Sequence, residues 1–578
     1  MISTFNSLRK KLKDDVSSFT KLKLAIVGDT STQFLRTCIE GCAIENKFNL
    51  TLFEADYNQI ERIFLDKNSE LFDFEPDYIV VFQSTQKFLS SYNKLDKNAK
   101  INLANERLNF IHHICSSVNS KVIYYNYPEI DDSVFGSYAN LIQESFVFQV
   151  RKFNYELMLL TQELKNLFIC DVQSLQNKFG RDVLFSPSIY VNTDSVFSLE
   201  MLPYVASKTI DIVAAIEGRF KKCLILDLDN TLWGGIIGDD GIEHIQIGNH
   251  LGIGKAFSEF QEWILKLKNR GVILAVCSKN DENIAKEPFE SHPDMVLRLD
   301  DISVFVANWE NKADNIRRIQ SVLNIGFDSI VFLDDNPFER NIVRENIPEV
   351  CVPELPEDPA EYLEYLYSLN LFETNSYSEA DLDRTLQYQT ESKRMDMKLQ
   401  FANEEDFLSS LSMVSEVSHF TKFNIPRVSQ LSQRSNQYNL RTIRYTEQDV
   451  ERISKDESYK TFTFTLKDKF GDNGLICVLI LKILDAQTLF IDTWFMSCRV
   501  LKRGMECFVL NTIVDYAQQN NYSRIIGEYI ETPKNKLVEH HYPNLDFTPV
   551  NYAGIECFQL FVNNYNKKEC YILNKNIA

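Results

Sequence analysis

Residues 223–235 read Cys-Leu-Ile-Leu-Asp-Leu-Asp-Asn-Thr-Leu-Trp-Gly-Gly, an apolar strand delivering two carboxylates, Asp227 and Asp229, into a glycine-rich turn. Residues two apart on a strand point to the same side. The spacing therefore aims both carboxylates at one spot, or splays them slightly where the strand frays into the turn. One carboxylate can attack a phosphorus while the other moves a proton.

An isolated Asp-x-Asp could equally end a strand and cap the next turn. Here three further stretches follow in order: Ile-Leu-Ala-Val-Cys-Ser-Lys-Asn-Asp from 273 to 281, Asn-Trp-Glu-Asn-Lys from 308 to 312, and Ile-Val-Phe-Leu-Asp-Asp-Asn-Pro from 330 to 337. The first is a buried strand ending in a hydroxyl, the second puts a lysine at the start of a helical run, and the third is a buried strand ending in paired acids. Singly each is ordinary; together, and in this order, they resemble the phosphoryl-transfer site of the haloacid dehalogenase (HAD) superfamily.

That resemblance implies roles residue by residue. Asp227 matches the nucleophile that forms an aspartyl-phosphate, and Asp229 the general acid/base. Ser278 and Lys312 match the pair that holds phosphate, one by a hydrogen bond and one by a compact positive charge. Asp334 matches the acidic magnesium ligand, with Asp335 a second candidate or an outer partner. Magnesium takes hard oxygen ligands and keeps some of its waters, so Asp227, the backbone carbonyl of Asp229 and Asp334 would suffice.

Many members of the superfamily insert a cap domain after the first or the second motif. Neither gap has room for one: residues 241–272 hold one helix-like segment, near 256–268, and residues 280–308 are equally short. A capless site is open to solvent, which favours a bulky or carrier-tethered substrate. The wording Asp-Leu-Asp-Asn-Thr-Leu-Trp-Gly-Gly, Ser-Lys-Asn-Asp, Asn-Trp, Asn-Lys and Leu-Asp-Asp-Asn-Pro-Phe-Glu-Arg further resembles the FkbH-like, capless class IIIC branch. The resemblance implies removal of phosphate from a phosphorylated acid and transfer of its glyceryl-like acyl group to an acyl carrier protein.

At 578 residues the chain should hold about three or four domains. Its 44% hydrophobic and 12% aromatic content provides packed cores. A formal net charge of −20 argues against nucleic-acid binding, and it requires a local basic patch if an acidic carrier protein is to dock. Twelve scattered cysteines, with no Cys-x-x-Cys pair, suit a reducing cytoplasm. Residues 1–23 are mixed and charged, unlike a signal peptide. No apolar run approaches the roughly 20 residues of a membrane span.

The expected fold is multidomain α/β, a central HAD-type parallel sheet flanked by an α/β domain and an α+β domain. Residues 1–218 alternate strands (23–28, 50–53, 78–82, 121–125) with helices such as 32–46 and 104–117. Gly28-Asp29-Thr30 resembles the first block of SGNH hydrolases, but Thr30 stands where their serine would. His112 and His113 fall mid-helix, and Asp194 has no histidine nearby, so this domain is expected to be non-catalytic. The core is expected at 219–352. A proline- and glutamate-rich helical linker follows at 353–402.

Residues 403–578 show a hairpin around 468–473, a strand at 488–496, and then Ser-Cys-Arg-Val-Leu-Lys-Arg-Gly-Met-Glu opening a long apolar helix. This resembles the acetyltransferase (GNAT) superfamily, whose loop wraps an acyl-CoA pyrophosphate at a helix N-terminus. Arg499 and Gly504 match the pattern, while Lys502 replaces its first glycine. With Arg503 these residues are expected to receive acyl-CoA or a phosphopantetheine arm, and Cys498 is a candidate acyl-thioester site. Residues 427–441, with Arg427, Arg434, Asn436 and Asn439, resemble another FkbH-like stretch without an evident role. The preferred function is dephosphorylation coupled to acyl transfer onto a carrier or sugar acceptor. The alternatives are a plain phosphatase with separate acyl-CoA chemistry, and a scaffold with a vestigial core.

Overall fold

The computed structural model describes residues 2–377, 384–398, 400–497, 500–532 and 534–575. The chain forms two compact units, Met1–Ala214 and Ala215–Ala578.

The first unit is built on a five-stranded sheet: β1 (Thr20–Gly28), β2 (Phe48–Glu54), β3 (Tyr78–Phe82), β4 (Lys121–Tyr125) and β5 (Leu167–Cys170), in the order β2-β1-β3-β4-β5. Every neighbouring pair is parallel. Parallel strands are joined by helical crossovers that cover both faces. Leu24–Val27 and the whole of β3 are accordingly buried, with no polar alternation.

The second unit contains two sheets. The first has β6 (Cys223–Leu226), β7 (Ile273–Ser278), β8 (Val304–Ala307) and β9 (Ile330–Leu333), all parallel, in the order β8-β7-β6-β9. The period of two divides its core. Cys223, Ile225, Ala275 and Phe332 pack on one face against Ile316, Ile319 and Val343. Leu224, Leu226, Val276 and Val331 face Phe257, Phe260, Ile264 and Phe289 on the other. The helix Ile253–Asn269 presents its apolar residues three and four apart, as burial of one stripe requires. All four strands run the same way, so their polar C-terminal residues emerge along one edge, where open α/β sheets form their sites.

The second sheet has nine strands among the described residues. Its centre is the antiparallel meander β12 (Tyr459–Asp468), β13 (Gly471–Asp485) and β14 (Thr488–Met496). The helix Met505–Gln519 then crosses to β15 (Arg524–Gly527), which lies parallel to β14. A hairpin of β16 (Thr548–Tyr552) and β17 (Ile555–Phe561) extends one side. The other side carries β10 (Met413–Ser415), the short β11 (Val417–Ser418) and β18 (Ile572–Asn574). This mixed sheet with one helical crossover is an α+β arrangement. The β12–β13 turn is tighter than the sequence suggested, because the Asp468 carboxylate accepts from the Phe470 and Gly471 N–H groups at 2.8 and 3.2 Å. No helix among the described residues is long and apolar enough to cross a membrane.

Residues 427–441 acquire a structural role. The Asn436 side-chain amide donates to the Gly218 carbonyl at 3.0 Å, and Lys222 Nζ donates to the Arg434 carbonyl at 2.8 Å. The Gln433 carbonyl lies where a Cβ on Gly218 would stand. This segment therefore seams the second sheet to the strand that opens the first.

On β15, a Cβ added to Gly527 would collide with the Tyr542 ring. Gly527→Ala should cost roughly 1–3 kcal/mol of overpacking strain, read as a lower denaturation midpoint for the unfolding of this sheet. An unchanged midpoint would contradict the packing described.

Candidate active site

The site is assembled where β6, β7 and β9 end. The Asp227 N–H still bonds the Leu333 carbonyl at 3.0 Å, so β6 delivers this aspartate before the chain leaves the sheet. The Leu228 carbonyl then accepts from Thr231 and Leu232 at 3.0 and 2.7 Å, with Asn230 in the left-handed region at φ +56°. Gly234 and Gln246 exchange two backbone bonds at 3.1 and 2.8 Å, closing a short flap over this end of the sheet.

Lys312 is the first residue of the helix Lys312–Leu323, whose N-cap, Asn311, accepts from the Ala313 N–H at 2.8 Å. The lysine is 3% exposed. Its Nζ lies 2.8 Å from Asp227 Oδ1 and 2.5 Å from Asp334 Oδ2. Burial works against its charge, but the two carboxylates outweigh burial, and the pKa of Lys312 is raised. Burial, reinforced by the charge of Asp227, pushes Asp334 up, while Lys312 opposes the shift.

Carboxylate oxygens of Asp227, Asp334 and Asp335 lie within 4.8 Å of one another. The loop that carries the last two is held from below. Arg340 donates to the carbonyls of Asp334 and Asp335 at 2.8 and 2.6 Å and pairs with Glu354 at 2.7 Å. Thr231 donates to Asp335 Oδ1 at 3.3 Å and accepts from its N–H at 3.1 Å. Ser278 is the buried last residue of β7, and its carbonyl accepts from the Asn308 N–H at 3.1 Å.

Asp229 turns toward the flap. Its Oδ1 accepts from the Trp233 indole and the Ile237 N–H, both at 3.0 Å, and its Oδ2 from the Asn280 amide at 3.0 Å. Burial raises its pKa, and the hydrogen bonds oppose that shift. Its carboxylate does not join the group of three aspartates. Trp233, Asn280, Thr231 and Arg340 were not singled out as site residues from sequence. Trp233 lies four residues after Asp229 and Asn280 two after Ser278, so their place within the motifs was the available signal.

The expected acyl-binding loop differs in its parts. Cys498 and Arg499 lie outside the described residues. Lys502 and Gly504 adopt left-handed φ values of +60° and +76°, with Gly504 as N-cap of the helix Met505–Gln519. Arg503 is not a spare cation. It is 4% exposed and its guanidinium pairs with Asp468 at 3.2 Å and with Glu391, both also held by Arg394. Of these two carboxylates Asp468 is fully buried and Glu391 half-buried. Lys502, Arg503 and Glu506 border a cavity of about 630 Å³, with Lys398, Tyr438 and Ser321 among its other walls. Beyond Ile491, β14 and β15 part. Residues 438–440 take the vacated edge of β14, through bonds of 3.2 Å from Leu440 to Trp494 and 3.0 Å from Met496 to Tyr438. His541 lies against Tyr438, accepting or donating at 2.9 Å, and burial pushes its pKa down to about 3.

In the first unit, Thr30 is fully buried and its hydroxyl has no hydrogen-bond partner. Asp194 pairs with Lys87 at 3.2 Å, and His112 and His113 are exposed on the helix Lys97–Ser117. The structure does not bring a serine, histidine and aspartate together there.

Residues 23–214 match the family model described as FkbH, N-terminal domain. Residues within the chain also match the solved N-terminal part of the protein BF1531 from Bacteroides fragilis, described as containing a phosphatase domain complexed with Mg. That match has 59% identity and a TM-score of 0.64, and covers 65% of this chain and all of that one. More remote are the ribosomal-protein-S18-alanine N-acetyltransferase from Escherichia coli (14% identity, TM-score 0.21, 27% of this chain and 99% of that chain) and the spermidine N-acetyltransferase from Vibrio cholerae in complex with CoA and spermine (12%, 0.20, 26% and 96%). At that distance neither bears on what the second sheet binds. No curated protein matches the chain.

Arg503→Ala should destabilise the second sheet by on the order of 3 kcal/mol, because the buried Asp468 carboxylate loses a partner. Lys502→Ala, at an exposed position, should stay within about 0.5 kcal/mol. Denaturant unfolding of the two variants checks this, and equal, small effects would contradict the buried network.

Proposed function

The chain belongs to the FkbH-like family, and on that premise we propose that residues 219–352 form a magnesium-dependent phosphohydrolase or phosphotransferase acting through an aspartyl-phosphate on Asp227. We further propose that this step serves acyl transfer from a phosphorylated, glyceryl-like acid to a carrier protein or sugar acceptor, in a cytoplasmic biosynthetic setting. The observation that carries the reading is the cluster of Asp227, Asp334 and Asp335, the first two buried and paired with Lys312.

The donor set fits magnesium. Three carboxylates within 4.8 Å of one another are hard oxygen ligands, and Asp227, Asp334 and the backbone carbonyl of Asp229 would hold the ion, with Asp335 in support. Bound there, the ion supplies the positive charge that lets a phosphate approach a pocket of aspartates. The chain's own groups do the rest. An Asp227 oxygen adds to phosphorus, the bond to the leaving oxygen breaks, and Asp229 gives that oxygen its proton. Ser278 and Lys312 hold the equatorial oxygens. Asp229 then takes a proton from water, which attacks the same phosphorus and frees Asp227 and phosphate.

Acyl transfer breaks a bond to carbon, which this set of residues does not address. We assign the acyl end to residues 403–578 and their cavity, with Lys502 at its border. Lys312 and the cavity-lining Ser321–Leu323 lie at opposite ends of one 12-residue helix, about 14 to 17 Å apart at 1.5 Å per residue. That separation suits a carrier arm moving between two centres. It also favours a second reading, in which a plain phosphatase for a bulky metabolite and an acyl-CoA-dependent domain work separately.

Phosphate release across a panel of phosphorylated acids, sugars and acyl phosphates tests the proposal. The wild-type chain should release phosphate with magnesium and stop when the metal is chelated. Asp227→Asn should lose roughly 10³-fold or more. Release that survives in the variant would overturn the nucleophile assignment. Release that needs no carrier and leaves no acylated acceptor would favour the second reading.

A further inference from the structure

Asp229 can act as an acid only if one of its oxygens is free to carry the proton and points it at the leaving group. A carboxylate offers about four lone-pair sites, two on each oxygen. Both sites on Oδ1 are taken, by the Trp233 indole N–H and the Ile237 backbone N–H at 3.0 Å each. Oδ2 accepts one bond, from Asn280 Nδ2 at 3.0 Å. One site is left, and it is on Oδ2, beside Asn280.

The orientation of Asn280 is itself determined. Its Oδ1 accepts from the Asp281 N–H at 3.0 Å, so reversing the amide would set a carbonyl oxygen against a carboxylate and an NH₂ against an N–H. Asp281 in turn caps the helix Glu282–Ser291 by accepting from Asn283 and Ile284 at 3.0 and 3.4 Å. Lys279, on the other side, is tied to Glu339 at 2.6 Å. The amide is 5% exposed and sits on a loop fixed at both ends, two residues from Ser278.

We propose that Asn280 is a positioning residue for the phosphoryl-transfer reaction: its amide fixes Oδ2 of Asp229 as the oxygen that delivers the proton, and so ties the acid's direction to the Ser278 loop that holds phosphate. Trp233 and Ile237 complete the arrangement from the flap by saturating Oδ1. The inference rests on the reading of residues 219–352 as a phosphatase.

The loss of a misaimed acid depends on the leaving group, whereas general loosening of the site does not. Phosphate release is therefore measured for wild type, Asn280→Ala and Asn280→Leu, the last filling the same space without a donor, on a series running from esters of acidic nitrophenols through phenyl phosphate to an alkyl phosphate. The variants should lose about 10- to 100-fold in kcat/KM on the alkyl ester, part of the roughly 10²–10⁴ that a positioned acid contributes. They should lose less than about threefold in kcat/KM on the most acidic phenol, whose oxygen leaves without a proton. This ratio ends at formation of the aspartyl-phosphate, so the water step that every ester shares, in which Asp229 is the base, does not enter it. A kcat/KM loss that is equal across the series would overturn the positioning role even if the phosphatase stands. A wild-type chain inert toward every ester would instead remove the reading on which the inference depends. If Asn280→Ala fails to fold, Asn280→Leu alone decides.

Discussion

The ammonium of Lys312, wedged between Asp227 and Asp334, is the contact on which the rest of the first site depends. Taking an unpaired carboxylate out of water costs several kcal/mol even after relaxation, and three of them meet here within 4.8 Å. A lysine at the first position of a helix supplies the compensating charge. The same charge is then in place for the oxygens of a phosphate. Stability and chemistry thus share one side chain, and the helix that carries it is fixed by burying Ile316, Ile319 and Leu323 against the sheet.

The remaining parts are arranged around that contact by strand direction. Because β6, β7 and β9 are parallel, the residues that end them, Asp227, Ser278 and Asp334, emerge together without any long loop to position them. The helix Lys312–Leu323 then links this edge to a second region: its first residue is in the site and its last turn walls the cavity below the second sheet. A movement or tilt of that helix would be felt at both ends.

Much of the first site was legible because its signals are local. Three apolar runs each end in polar residues, whereas the division of 223/225 from 224/226 onto opposite faces is shown by the packing, because all four residues are apolar. The helix Ile253–Asn269 differs from its expected span by only a few residues. What the sequence did not reveal are pairings between distant residues. Asn280 meets Asp229 across 51 positions, and nothing in the spacing announces it. Arg503 read as a ligand-facing cation because its neighbours are basic and a helix follows. Its partners, Asp468 and Glu391, lie 35 and 112 residues away, so its ion pairs could not be foreseen. Asn436 read as an unexplained motif residue until Gly218, 218 positions earlier, proved to be its partner.

The central claim is that Asp227 becomes covalently phosphorylated, and the most direct test is to trap that species. An Asp229→Ala chain is mixed with magnesium and an acyl phosphate, whose carboxylate leaves without needing a proton, then acid-quenched and mapped by peptide mass spectrometry. The account predicts a phosphoryl group on the peptide containing Asp227, labile to hydroxylamine and absent when Asp227→Asn is added. Substrate turnover with no adduct, or an adduct on another residue, would contradict it.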